Sequence, residues 1–150
     1  MSEIKKQLHQ LCLKYVQQRM DAAQHAINEA QQASNDDTKS SAGDKYETGR
    51  EMAQQETNRN LAQLNEANKL IVILNQLSTS FESETALPGS LIITNNGVFY
   101  LSVSAGTLSL DGKSYFAVSP ASPIGVKLKG SKTGDSFVLN GKTYNIEQVL

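Results

Sequence analysis

Apolar positions in the first third of the chain recur at helical spacing. Ile4, Leu8, Leu11 and Tyr15 follow at intervals of four, three and four, and Ala22, Ala26, Ala30 and Ala33 carry the stripe onward. The stripe's side chains shrink along the chain, which lets a second helix approach closely. Met52, Ala53, Leu61, Leu64, Ala67, Ile71, Leu74 and Leu77 mark a return stripe, sparse at its start and dense at its end. Between the two lies Asn35 to Arg50, NDDTKSSAGDKYETGR, where acids, small residues and glycine interrupt both patterns. The pattern predicts an antiparallel helical hairpin, a two-helix coiled coil over residues 1–80 with its tip near 35–45. At about 1.5 Å per residue, an arm of roughly thirty residues is about 45 Å long. The polar remainder, including Gln17, Gln18, Gln54, Gln55 and Asn58, suits exposed helices. On periodicity alone, a coiled coil acting as a plain spacer fits equally well.

Helical periodicity stops between Ser78 and Pro88, where Ser, Thr, Pro and Gly take over. Short β-prone runs follow at Leu91 to Thr94, Val98 to Val103, Lys113 to Val118, Ser136 to Leu139 and Thr143 to Val149. Asn95-Asn96-Gly97, Asp111-Gly112 and Asn140-Gly141 supply turn signals, the last a strong hairpin signature. A turn at Pro120 to Pro123 leads into a short amphipathic piece around Ile124, Val126 and Leu128, read as a helical turn or two laid on the sheet and ended by Gly130. The expected class is α+β, with a small β-rich domain over residues 85–150.

The balance of charge narrows the function. A chain of 150 residues with net charge −1 lacks the basic footprint of a protein that grips duplex DNA by its phosphates. Cys12 is the only cysteine, so neither a disulfide framework nor a cysteine metal site is available, and a buried inert thiol is expected. The first ten residues hold no signal-like apolar core, and the longest apolar run, Leu70 to Leu74, is too short to span a bilayer. A cytoplasmic protein without membrane contact is expected.

Free-standing catalysis finds no support. His9 and His25 lie 16 positions apart with no second imidazole or thiol at metal-ligand spacing. No serine sits in a nucleophile-elbow pattern, and the glycines form neither a phosphate loop nor a dinucleotide fingerprint. A non-enzyme is expected.

The interruption carries the remaining chemistry. Ser41-Ala42-Gly43-Asp44 resembles a capping box, which makes Ser41 an N-cap and Asp44 its dipole partner. Asp44 and Glu47 then share a face, with Asp36 and Asp37 on the loop beside them. Such carboxylates can help hold a hard cation such as Mg2+ when a second protein supplies further ligands. Five acids (Asp36, Asp37, Asp44, Glu47, Glu51) face three bases (Lys39, Lys45, Arg50), so a merely solvated loop is also consistent with the composition. Gly43 and Gly49 in the first turns of a helix cost about 1 kcal/mol each relative to Ala, a cost that a need for slimness would explain.

Residues 42–56, AGDKYETGREMAQQE, resemble the start of the second coiled-coil helix of the bacterial Gre transcript-cleavage factors, with Tyr46, Arg50, Glu51 and Gln54 in step. The stretch VSPASPIGVKLKGSKTGDSFVLNGKTYNIEQV is similar to the end of the Gre C-terminal domain, through Ser122, Pro123, Ile124, Gly125, Leu128, Gly130, Gly134, Asp135, Tyr144 and Ile146. The resemblance implies an FK506-binding-protein-like (FKBP-like) C-terminal domain that docks at the rim of the RNA polymerase secondary channel. Ser122, Pro123, Ile124, Gly125, Gly134 and Asp135 would form the docking surface. It further implies that the coiled coil enters the channel and that tip acids act inside the polymerase site, where this chain meets the nascent RNA 3′ end only indirectly. The candidates are Asp36, Asp37, Asp44 and Glu47, with Asp36, Asp37 and Asp44 as ligands of an Mg2+ shared with the polymerase. No cofactor is expected on the chain alone.

One departure bears on this. With Tyr46 set on the family's tip tyrosine without gaps, the two positions of the family's functional acids fall on Lys39 and Ala42. Two expectations follow: an elongation factor that stimulates cleavage of backtracked transcripts through displaced acids, or a regulator that occupies the channel without promoting cleavage. A coiled-coil interaction module with another partner is a third. Prolyl isomerase activity is not expected, because the chain has no Trp and its aromatics alternate along strands as core residues do.

Overall fold

Two long helices open the chain and a mixed six-stranded sheet closes it, an α+β arrangement. The computed structural model describes the backbone of residues 2–40 and 44–150, and the side chains of residues 3–32, 49 and 51–150. Helices α1 (Ser2–Ser40) and α2 (Asp44–Gln76) precede β1 (Leu91–Thr94), β2 (Gly97–Leu101), β3 (Gly106–Leu110), β4 (Lys113–Val118), α3 (Pro123–Leu128), β5 (Ser136–Leu139) and β6 (Lys142–Val149). No helix among the described residues is long and apolar enough to cross a membrane. By internal contacts the chain divides into two units: Val16–Ile71, and Met1–Tyr15 with Val72–Leu150.

The described backbone of the unit Val16–Ile71 is helical. On α1, Val16, Ala23, Ile27 and Ala30 are buried and Met20 is half-buried, at intervals of four, three, four and three. On α2, Thr57, Asn60 and Ala67 are buried, and Ala53, Leu64 and Ile71 are half-buried in the same rhythm. Both stripes differ from those expected. Ala22 is exposed and Ala26 half-buried, because alanine favours helix on any face and so marks a seam poorly. Met52 and Leu61 are 64% and 41% exposed, while the polar Thr57 and Asn60 occupy the seam that a hydrophobic count assigns to them.

In the second unit, the sheet runs in the order β3-β4-β2-β1-β6-β5, with β2 and β4 parallel and every other neighbouring pair antiparallel. Alternation along β2 sends side chains to opposite faces. Phe99 and Leu101 join Ala86, Ile92, Leu128 and Ile146 in one core, flanked by Phe116, Ile124, Phe137 and Tyr144. The intervening Tyr100 and the following Ser102 meet the start of α1 instead, at His9 and Cys12. There the stripe is Lys5, Leu8 and Cys12, one residue on from the expected Ile4 and Leu11, which are half-buried.

The turns explain the sheet's register. Asp111 and Gly112 (φ 52° and 76°) join β3 to β4, and Asn140 and Gly141 (φ 52° and 79°) join β5 to β6. Positive φ at both central residues gives the twist that matches antiparallel strands, and Asn-Gly and Asp-Gly tolerate it best. Strand β3 is the element that sequence reading misses. It lies at the sheet edge with Leu108 its only buried residue, and although Thr107-Leu108-Ser109-Leu110 alternates polar and apolar, the run is short and opens on Gly106. The strand expected at Val98 to Val103 ends at Leu101, where β2 gives way to a bend.

Candidate functional site

The expected docking segment is built from its own hydrogen bonds. Ser119 to Ser122 form a tight turn, in which the Ser122 hydroxyl donates to the Ser119 carbonyl (2.6 Å) and accepts from the Gly125 amide (3.1 Å). Ser122 is thereby the N-cap of α3, and Pro123 occupies the first turn, where its missing N–H costs nothing. Gly125 has no freedom to be anything larger, since a Cβ there would lie 1.9 Å from the Ser119 carbonyl oxygen. Leu128 is fully buried and Ile124, one turn before it, packs on the same core. Val126 points the other way and is 61% exposed. Two residues along a helix turn the side chain by about 200°, so the three apolar positions of the expected amphipathic piece cannot share a face.

After α3 the chain turns back through a second self-bonded element. Gly130 N–H donates to the Ala86 carbonyl (2.8 Å), and Thr85 bridges Lys132. The Asp135 carboxylate accepts from the Lys132 amide (2.9 Å), while the Asp135 carbonyl accepts from the Ile146 amide (2.8 Å). Gly134, at φ 94°, donates its amide to the Ile146 carbonyl at 2.8 Å. Ser122, Ile124 and Gly125 therefore shape the segment from within, and Gly134 and Asp135 shape it at the surface. The exposed side chains include Val126, Lys127, Lys129, Lys132 and Thr133. Of the expected docking residues, Pro123, Gly134 and Asp135 are exposed.

The tip acids divide between the helices. Helical backbone of α1 continues through Asp36 and Asp37 to Ser40, which corrects their expected place on a loop, and α2 begins at Asp44 and carries Glu47. The side chains of Asp36, Asp37, Asp44 and Glu47, and the expected capping residue Ser41, lie outside the described residues. Among the described residues no three His, Cys, Asp or Glu groups gather as a metal site.

A polar cluster near the start of α1 was not expected. Lys5 is 1% exposed, and its ammonium donates to the carbonyls of Phe81 (2.8 Å) and Leu150 (3.2 Å). Burial holds its pKa below the ordinary lysine value, with Glu82 pulling it partly back. His9 Nδ1 lies 3.0 Å from the Tyr100 hydroxyl, and burial lowers the imidazole's pKa and raises that of the phenol. Cys12 Sγ sits 3.7 Å from Ser102 Oγ, its thiol pushed up by burial and so unreactive, as expected. Elsewhere, Arg19 and Ala22 of α1 and Ala62, Gln63, Glu66, Ala67 and Leu70 of α2 line an open groove of about 400 Å³. His25 pairs with Glu29 at 3.0 Å on the helix surface.

Compared with models of known protein families and with curated protein sequences, the chain matches none.

Proposed function

We propose that this chain is a Gre-type factor that binds RNA polymerase at its secondary channel and promotes cleavage of backtracked transcripts by the polymerase's own centre. The observation that carries the reading is the segment from Ser119 to Asp135. Its Ser-Pro-Ile-Gly start is a capped helix with no room for a Cβ at Gly125, and its Gly-Asp end is a turn closed by the Asp135 carboxylate. These are the residues on which the resemblance to the Gre C-terminal domain rests, and each has a definite structural job.

In this reading α1 and α2 pair as an antiparallel hairpin, and the β-rich part is FKBP-like. Helices of 39 and 33 residues reach about 50 to 58 Å at 1.5 Å per residue, enough to pass from a rim to a buried centre. The groove that draws lining from both helices supports their pairing. Asp36, Asp37, Asp44 and Glu47 supply hard carboxylate oxygens of the kind Mg2+ prefers, and they would complete a shell that the polymerase mostly provides. The chain positions; the polymerase cleaves.

A non-cleaving channel regulator is the second reading, favoured by Lys39 and Ala42 at the positions where the family carries acids. A stalled, backtracked complex separates the two. With the cleavage factor, RNA shortens on addition of the protein. Asp36→Ala with Asp37→Ala, or Asp44→Asn, then binds normally yet loses cleavage, and the loss is partly restored by added Mg2+. No shortening at any Mg2+ concentration, together with altered initiation or pausing, leaves the regulator standing.

A further inference from the structure

The outer side of α3 combines apolar and basic side chains. Leu128 is buried, Ile124 packs on the core and Gly125 is closed off by the Ser119 carbonyl. Pro123, Val126 and Lys127 therefore take the opposite arc of the helix, where all three are exposed. Lys129 and Lys132 follow, both exposed. Beside them runs the segment before β1: the Gly130 amide donates to the Ala86 carbonyl and the Ala86 amide to the Ser131 carbonyl, each at 2.8 Å. That segment carries Leu87, which is 42% exposed. Two exposed aliphatic side chains and three lysines thus belong to two neighbouring segments.

The charge of this patch is unbalanced. Residues 85–150 hold five lysines and three acids. Asp111 lies in the β3–β4 turn and Glu147 on β6, while the Asp135 carboxylate accepts from the Lys132 amide. Among the described residues, Lys127, Lys129 and Lys132 form no ion pair, either with Asp135 or with Glu84 of the neighbouring segment.

We infer that this patch receives an acidic surface of a protein partner, with carboxylates set around a projecting apolar side chain. Val126 and Leu87 take up the apolar group, and Lys127, Lys129 and Lys132 meet the carboxylates. This rests on the reading that the α3 segment docks on RNA polymerase, and it specifies what the polymerase offers there. A nucleic-acid strand fits the patch less well. The chain has no arginine after Arg59, and every aromatic from Phe81 onward is buried or half-buried, so neither a guanidinium nor a ring is offered for base stacking. Exposed aliphatic side chains rimmed by charge suit a protein surface, and the lysines speed encounter with one of opposite sign.

Binding of the full chain to its host's RNA polymerase, measured against salt, tests this with two variants. One combines Lys127→Gln, Lys129→Gln and Lys132→Gln; the other combines Lys113→Gln and Lys142→Gln, exposed lysines of β4 and β6. All the substituted positions are exposed, so both variants should melt within a few degrees of the parent. The inference predicts a loss of about tenfold or more in the triple variant at low salt, chiefly as slower association, and a gap that closes as salt rises to about 0.5 M. The double variant should bind like the parent. Parental affinity in the triple variant, or an equal loss in both, overturns the inference and leaves the docking reading standing. No binding of the parent at any salt removes both. A labelled single-stranded RNA that the parent binds and the triple variant does not would assign the lysines to phosphates, which also overturns the inference.

Discussion

Lys5 places its ammonium 2.8 Å from the carbonyl of Phe81 and 4.4 Å from the centre of the same residue's ring. One cation thus answers a main-chain acceptor and an aromatic face of a single residue, and it also reaches the Leu150 carbonyl. The start of α1, the segment after α2 and the end of β6 meet at this point. Without the lysine, two carbonyls lose a donor and a buried stem leaves a cavity.

Lys5→Ala is therefore expected to lower unfolding free energy by about 2–4 kcal/mol, and Lys5→Met by less, since the thioether fills the stem's volume without a buried charge. Chemical denaturation of the three proteins checks both the size and the order. Equal losses for Ala and Met would show that the hydrogen bonds, not the packing, dominate.

His9 gives the fold a pH dependence of definite sign. Burial lowers its pKa in the folded state, so folding favours the neutral ring held against the Tyr100 hydroxyl. The stability this contributes is complete above the unfolded value near 6.5 and falls as the pH drops through it toward the lowered folded value. Unfolding midpoints measured between pH 8 and 5.5 should be flat at first and then decline. In His9→Asn that decline should shrink, whereas a profile identical to the parent's would remove His9 from the account.

The cap of α3 yields two graded substitutions. Ser122→Ala removes the acceptor of the Gly125 amide and the donor to Ser119, at a cost of about 1–2 kcal/mol. Gly125→Ala is the harsher change, because its Cβ meets a backbone carbonyl at 1.9 Å and the turn must move. A loss of about 3 kcal/mol or more is expected, visible as a melting transition lowered well beyond that of Ser122→Ala.

Much of the sheet is legible in the sequence because its turns are. Asn140-Gly141 and Asp111-Gly112 announce themselves through residues that tolerate positive φ, and β1, β4 and β5 have the bounds that their β-prone runs suggest. Strand β3 is easily passed over although Thr107-Leu108-Ser109-Leu110 alternates, since the run is short, opens on Gly106 and buries only Leu108, so pattern and burial part company. The helix seams are misread for a related reason. Lys5, Thr57 and Asn60 are buried polar residues, and alanine-rich faces look alike from every side, so a count of apolar positions slides by a residue. On the proposed docking segment, sequence reading picks out Ser122, Gly125 and Asp135, whose hydrogen bonds and close contacts build its shape. The exposed Val126 and the surrounding lysines, which shape does not require, need the side-chain directions to be found.

Binding of the full chain to its host's RNA polymerase tests the central claim most directly, with Val126→Asp as the matched variant. Val126 is exposed, so the substitution should leave the melting temperature within a few degrees of the parent while placing a charge at the middle of the proposed contact. The account predicts saturable binding of the parent and a loss of affinity of about tenfold or more in the variant. Absence of binding by the parent, or equal affinity for both, would contradict it.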